Sequence, residues 1–65
     1  MDDFKLLEEI IDRNSLRSLC DMLGITCREK ADHIRTNWQD EALANRWAKA
    51  ASECIKLQYR LPAGL

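Results

Sequence analysis

The sequence predicts an all-α protein, a small helical hairpin or bundle of three helices, or four, with a long C-terminal helix and a second copy as partner. Three observations carry this. Between Asp2 and Leu61 only Gly24 interrupts helix-favouring residues. β-branched residues are few and never alternate with polar ones, so no strand period is present. Apolar residues instead recur at helical spacing, as in Phe4, Leu7 and Ile11.

Taken in order, Phe4, Leu6, Leu7, Ile10 and Ile11 gather on one side of a first helix over about 3–13. Asp2 and Asp3 stand at its start, where the helix dipole favours negative charge. Leu16, Leu19, Cys20 and Leu23 form a second stripe, which on one straight helix would lie roughly opposite the first. A break at Asn14-Ser15, both good N-caps, resolves the conflict and starts a short helix over about 15–23. Gly24 then suits a left-handed C′ position. Thr26 and Glu29 have the spacing of a capping box, so a turn is expected there.

From Cys27 to about Arg60 nothing demands a stop, and Leu61-Pro62 opens a tail over 62–65. A helix over 27–60 would place Trp38 and Trp47 on opposite sides, nine residues apart. One stripe then holds Ile34, Trp38, Ala42, Ala48, Ile55 and Tyr59, the other Leu43, Trp47, Ala50, Ala51, Cys54 and Leu57. A single hairpin partner covers one stripe only. Two arrangements resolve this: a second copy covers the other stripe, or the helix breaks near Gln39-Asp40 with Asp40 as N-cap and both face one core. The expected core is Leu7, Ile11, Leu19, Leu23, Ile34, Trp38 and Ile55. The expected self-association or partner interface is Leu43, Trp47, Ala50, Ala51, Cys54 and Leu57.

Sixty-five residues make one domain, 1–65, with a marginal core, and such chains recruit a disulfide, a metal or a partner. Cys20, Cys27 and Cys54 cannot all pair within one chain, and Met1-Asp2-Asp3 shows no signal peptide, so free thiols in the cytoplasm are expected. No apolar run reaches bilayer length, which excludes a membrane-spanning role. Cys20, Cys27, His33 and Cys54 lack the close ligand pairs of structural zinc sites. Association is the remaining staple, as a homodimer or higher oligomer.

The formal net charge of −1 gives no global attraction to nucleic acid. Residues 1–24 are acidic, while residues 25–65 carry seven basic against five acidic groups. Cys27 or Cys54 with His33 is the only conceivable nucleophile–base pair, and so small a bundle has little room for a water-excluding pocket. No catalytic residue, metal, cofactor or small-molecule substrate is therefore expected. Residues 16–35 resemble a helix-turn-helix, matching at Cys20, Leu23, Gly24, Ile25 and Thr26. Lys30 departs from that pattern, standing where an inward apolar residue belongs. The resemblance implies a DNA-binding regulator reading a groove with Thr26, Arg28, Lys30 and Arg35. That is the alternative; the main expectation is a non-enzymatic regulator that binds a protein partner through a helix in a groove.

In length, cysteine use, acidic start and unbroken helical second half, the whole chain resembles the very small accessory proteins of lambda-like temperate phages. That resemblance implies a host-modulating or developmental role through contacts with a host or phage protein, without catalytic residues.

Overall fold

A computed structural model describes residues 2–65 and contains three helices: α1 (Asp3–Asn14), α2 (Leu16–Asn37) and α3 (Glu41–Gln58). The all-helical expectation holds, and among the described residues there is no strand. The boundaries differ from those the sequence predicts. α2 runs unbroken through Gly24, so the helices expected at 15–23 and 27–60 do not exist as such. The longest helix is the central one, and the break falls at Asp40.

Each junction has a local cause. Asp2 Oδ1 accepts the Phe4 N–H at 3.0 Å and caps α1. Asn14 ends it by donating its side-chain amide to Ile10 O at 2.9 Å. Ser15 Oγ then accepts the Ser18 N–H at 3.0 Å and starts α2, but its backbone sits at φ 129, ψ 159. That region is essentially reserved for glycine, and other residues occupy it at a cost of about 1–3 kcal/mol. At the other end Asn37 donates to His33 O at 3.1 Å, and Gln39 turns the chain in the left-handed region at φ 53. Asp40 Oδ1 accepts the Leu43 N–H at 3.0 Å and opens α3.

The turn brings α3 back antiparallel along α2. Arg17 meets Gln58, Gly24 meets Ala51 and Ile55, Lys30 meets Trp47, and Arg35 meets Glu41 and Asn45. The seam is made of small residues and one large one at heptad spacing: Cys20, Gly24, Cys27 and Ala31 against Ala44, Ala48, Ala51 and Ile55. Small side chains let the two backbones approach closely. A Cβ on Gly24 would stand 2.7 Å from Ile55 Cγ1 and 3.2 Å from Ala51 O. This is why Gly24 does not end the helix. A mid-helix glycine costs about 1 kcal/mol of propensity, and here the missing Cβ is what admits α3. The Thr26–Glu29 capping box does not form, because its residues lie inside α2.

Arg17 fastens the far end. Its guanidinium donates to Gln58 O, to Leu61 O at 3.5 Å and to Pro62 O at 3.2 Å, satisfying carbonyls left open where α3 ends. The Arg17 backbone N–H, free in the first turn of α2, donates to Leu65 O at 3.0 Å and draws the tail in.

The buried core is Cys20, Gly24, Ala31, Ala44 and Ala51, with no large side chain fully buried among the described residues. The expected core is corrected accordingly. Leu7 and Leu23 are about half exposed, at 45% and 46%, and Trp38 is 73% exposed at the corner beyond the end of α2. Ile11, Leu19, Ile34 and Ile55 are half-buried. Apart from Ile55, which meets Gly24 in the seam, the large apolar side chains stand at its rims.

α1 buries no residue and packs on α2 alone, without touching α3. The described residues form a plate of 39 × 30 × 13 Å with a radius of gyration of 13.7 Å. A compact chain of this length has a radius of gyration of about 11 Å.

Candidate interaction surface

The α2–α3 pair has two unlike faces, separable by helical geometry and the contacts that anchor each. With about 100° per residue, the residues flanking the seam on the Lys30–Trp47 side are Leu16, Leu19, Leu23 and Ile34 of α2. From α3 the same side receives Leu43, Trp47, Ala50, Cys54 and Leu57. On the opposite side Arg35 pairs with Glu41 at 3.1 Å and Asp32 at 3.6 Å and donates to Asn45 Oδ1 at 3.2 Å. Arg17, Arg28, Ser52 and Lys56 share that polar side. These ion pairs are exposed and contribute little, about 0–1 kcal/mol each. The polar side carries ion pairs and hydrogen bonds, with Ile25 and Tyr59 also exposed on it; the other side exposes Leu23, Leu43 and Leu57.

Lys30 Nζ sits 5.2 Å from the centre of the Trp47 ring, the range of a cation–π contact. The lysine ammonium thereby lies over the indole, at the edge of the apolar face. Beside it a depression of about 400 Å³ opens along α2 between Thr26, Glu29, Lys30, His33 and Ile34. Cys54 lies on the same face, half-buried. Burial, and then the neighbouring Cys27 thiol, push the Cys54 thiol above its ordinary value, which keeps it protonated and makes it a small apolar group.

The expected interface residues therefore divide. Leu43, Trp47, Ala50, Cys54 and Leu57 come together on one face, with Leu43 and Leu57 exposed and the others half-buried. Ala51 does not join them: it is fully buried in the seam against α2, out of reach of a partner. Leu16, Leu19 and Leu23 belong to the same face although the sequence reading assigned the last two to the core. The missed signal was the run of small residues Cys20, Gly24, Cys27 and Ala31, which claims the seam and displaces the leucines to its rim.

The helix-turn-helix expectation is corrected by the same helix. With α2 continuous from Leu16 to Asn37, residues 16–35 contain no turn and no separate recognition helix. Nor do its candidate residues converge: Thr26 and Lys30 lie toward the apolar face, Arg28 and Arg35 toward the polar one. Cys27, expected at a helix start, lies mid-helix. Among the described residues no three His, Cys, Asp or Glu side chains are grouped to hold a metal ion, and no helix is long and apolar enough to cross a membrane. No protein-family model, curated protein or solved structure matches the chain.

Proposed function

We propose that the protein is a non-enzymatic regulator that acts by binding helices of other protein chains, a second copy among them, on the apolar face of the α2–α3 hairpin. The observation that carries this reading is surface area. The described residues expose 5155 Å², whereas a compact chain of 7.6 kDa exposes about 4,300 Å². The excess, about 850 Å², is close to the ~800 Å² that each partner contributes to a stable protein–protein interface. Part of the exposed surface is apolar: Leu23, Leu43 and Leu57 remain exposed along one face, and Phe4, Trp38 and Tyr59 elsewhere. An aromatic anchor flanked by leucines and small residues is the composition of an interface centre. A modulatory role in a host cell, through protein contacts, follows from the resemblance to small accessory proteins of temperate phages.

The test is a pair of full-length variants. Leu43→Glu/Leu57→Glu places charges on exposed positions of the face and should leave helicity intact while abolishing self-association and capture of any host protein. Arg28→Ala/Arg35→Ala on the polar face should change neither. Equal behaviour of the two variants would refute the reading, and salt-sensitive duplex DNA binding lost in the arginine variant would replace it with nucleic-acid recognition.

A further inference from the structure

α1 is the part of the chain that the hairpin does not use. Its apolar residues Phe4, Leu6, Leu7, Ile10 and Ile11 cover nearly half the helix circumference, yet none is fully buried: Ile10 and Ile11 are half-buried, Leu6 and Leu7 exposed, and Phe4 is 82% exposed. A free helix of 12 residues is marginal in water, so α1 needs a surface to lie on. Its own chain offers a few contacts with α2 and none with α3. It leaves the hairpin through Ser15, the junction whose backbone lies in the glycine-only region.

On these grounds we infer that α1 is an exchanged arm, whose apolar stripe lies across the α2–α3 apolar face of a second copy, each copy giving and receiving one arm. The inference rests on the reading of that face as a docking surface and names its occupant. Three features agree. The two unsatisfied surfaces are both helical and apolar, and each chain carries one of each. The whole chain exposes about 850 Å² more than a compact chain of its size, the scale of one partner's share of a standard dimer interface. The charges are complementary: residues 2–14 carry five acidic side chains against two basic, while Lys30 stands at the edge of the receiving face. Reciprocal exchange of an identical element also closes the assembly at two copies, because every arm and every face is then used.

Two experiments on the full chain test this. In the first, Phe4→Glu/Leu7→Glu disables the arm and Leu23→Glu/Leu43→Glu disables the face; all four positions are exposed, so helicity should persist. Each variant alone should fall to single-chain mass by light scattering. Mixed at equal and raised concentration they should form a heterodimer, since the first retains a face and the second an arm. An arm variant that remains dimeric would overturn the exchange while leaving the face as the self-association site; a wild-type protein of single-chain mass would overturn both. The second needs no substitution. Unlabelled protein is mixed with uniformly ¹⁵N-labelled protein and treated with a carbodiimide, which joins carboxylate to lysine. The account expects links between Lys30 and an α1 carboxylate in which one peptide is light and the other heavy. Links of matched mass alone would place the arm on its own chain and end the proposal.

Discussion

Gly24→Ala distinguishes a glycine that terminates a helix from one that admits a neighbour. On an exposed helix alanine would gain about 1 kcal/mol over glycine. Here the new methyl would meet Ile55 Cγ1 at 2.7 Å and the Ala51 carbonyl at 3.2 Å. Ile55 is β-branched on a helix and therefore has essentially one χ1 rotamer, so its Cγ1 does not simply swing aside. The carbonyl is backbone and yields only if α3 moves. Overpacking of this kind costs about 1–3 kcal/mol, so the propensity gain offsets part of it and the net expectation is destabilisation by roughly 1 kcal/mol. Urea unfolding followed by circular dichroism at one fixed protein concentration measures this, the concentration being held so that any contribution of self-association is the same for both proteins. Ile55→Ala supplies the second arm of the cycle. With the branched side chain removed, Gly24→Ala should be tolerated better, giving a coupling of about 0.5–3 kcal/mol between the two sites. An unchanged or raised urea midpoint in Gly24→Ala, with no coupling to position 55, would refute the close-packed seam.

Other substitutions probe the remaining joints. Arg17→Ala should loosen the end of α3 and the tail, costing about 1.5–3 kcal/mol per lost charged hydrogen bond at most, and should raise amide exchange over residues 58–65 selectively. Gln39→Gly should stabilise the protein by about 0.5–1 kcal/mol, because glycine adopts the left-handed turn at φ 53 without the side-chain penalty; a lowered urea midpoint would contradict it. Alkylation of Cys54 should be slow at neutral pH and accelerate only above the range of an ordinary thiol, since its raised value leaves less thiolate at any given pH. Peptide mapping after iodoacetamide reads this directly, and modification of Cys54 as fast as that of a free cysteine would contradict it. Acrylamide should quench Trp38 strongly and Trp47 weakly, as read in Trp47→Phe and Trp38→Phe, because only the second ring is shielded by Lys30 and the hairpin.

Much of the architecture was legible in the residues. The helical period and the break at Asn14-Ser15 were visible, because each rests on local chemistry that acts within one helical turn; the cap at Asp40 was visible only as the alternative to a continuous helix over 27–60. Gly24 was misread because its local chemistry and its tertiary role conflict. A C′ glycine followed by Thr26 and Glu29 has every mark of a stop, and only the opposing alanines of α3 explain why the chain continues. The same pairing explains the misplaced core. Period alone groups large and small apolar residues on one arc; which of them enters the seam depends on how closely the helices approach, a property of both helices together. Trp47, Leu43, Cys54 and Leu57 were recognisable as a face because spacing decides it, whereas Ala51 was misassigned by a rotation too small for periodicity to resolve. Arg17's hold on the tail joins residues more than forty positions apart and left no sequence signal.

Sedimentation equilibrium of the unmodified chain across the micromolar range tests the central claim most directly, that one copy has more apolar helical surface than it can cover. The expected mass is twice that of the 7.6 kDa chain or more, falling only on dilution. A mass of 7.6 kDa at every concentration, with the helical spectrum retained, would contradict it.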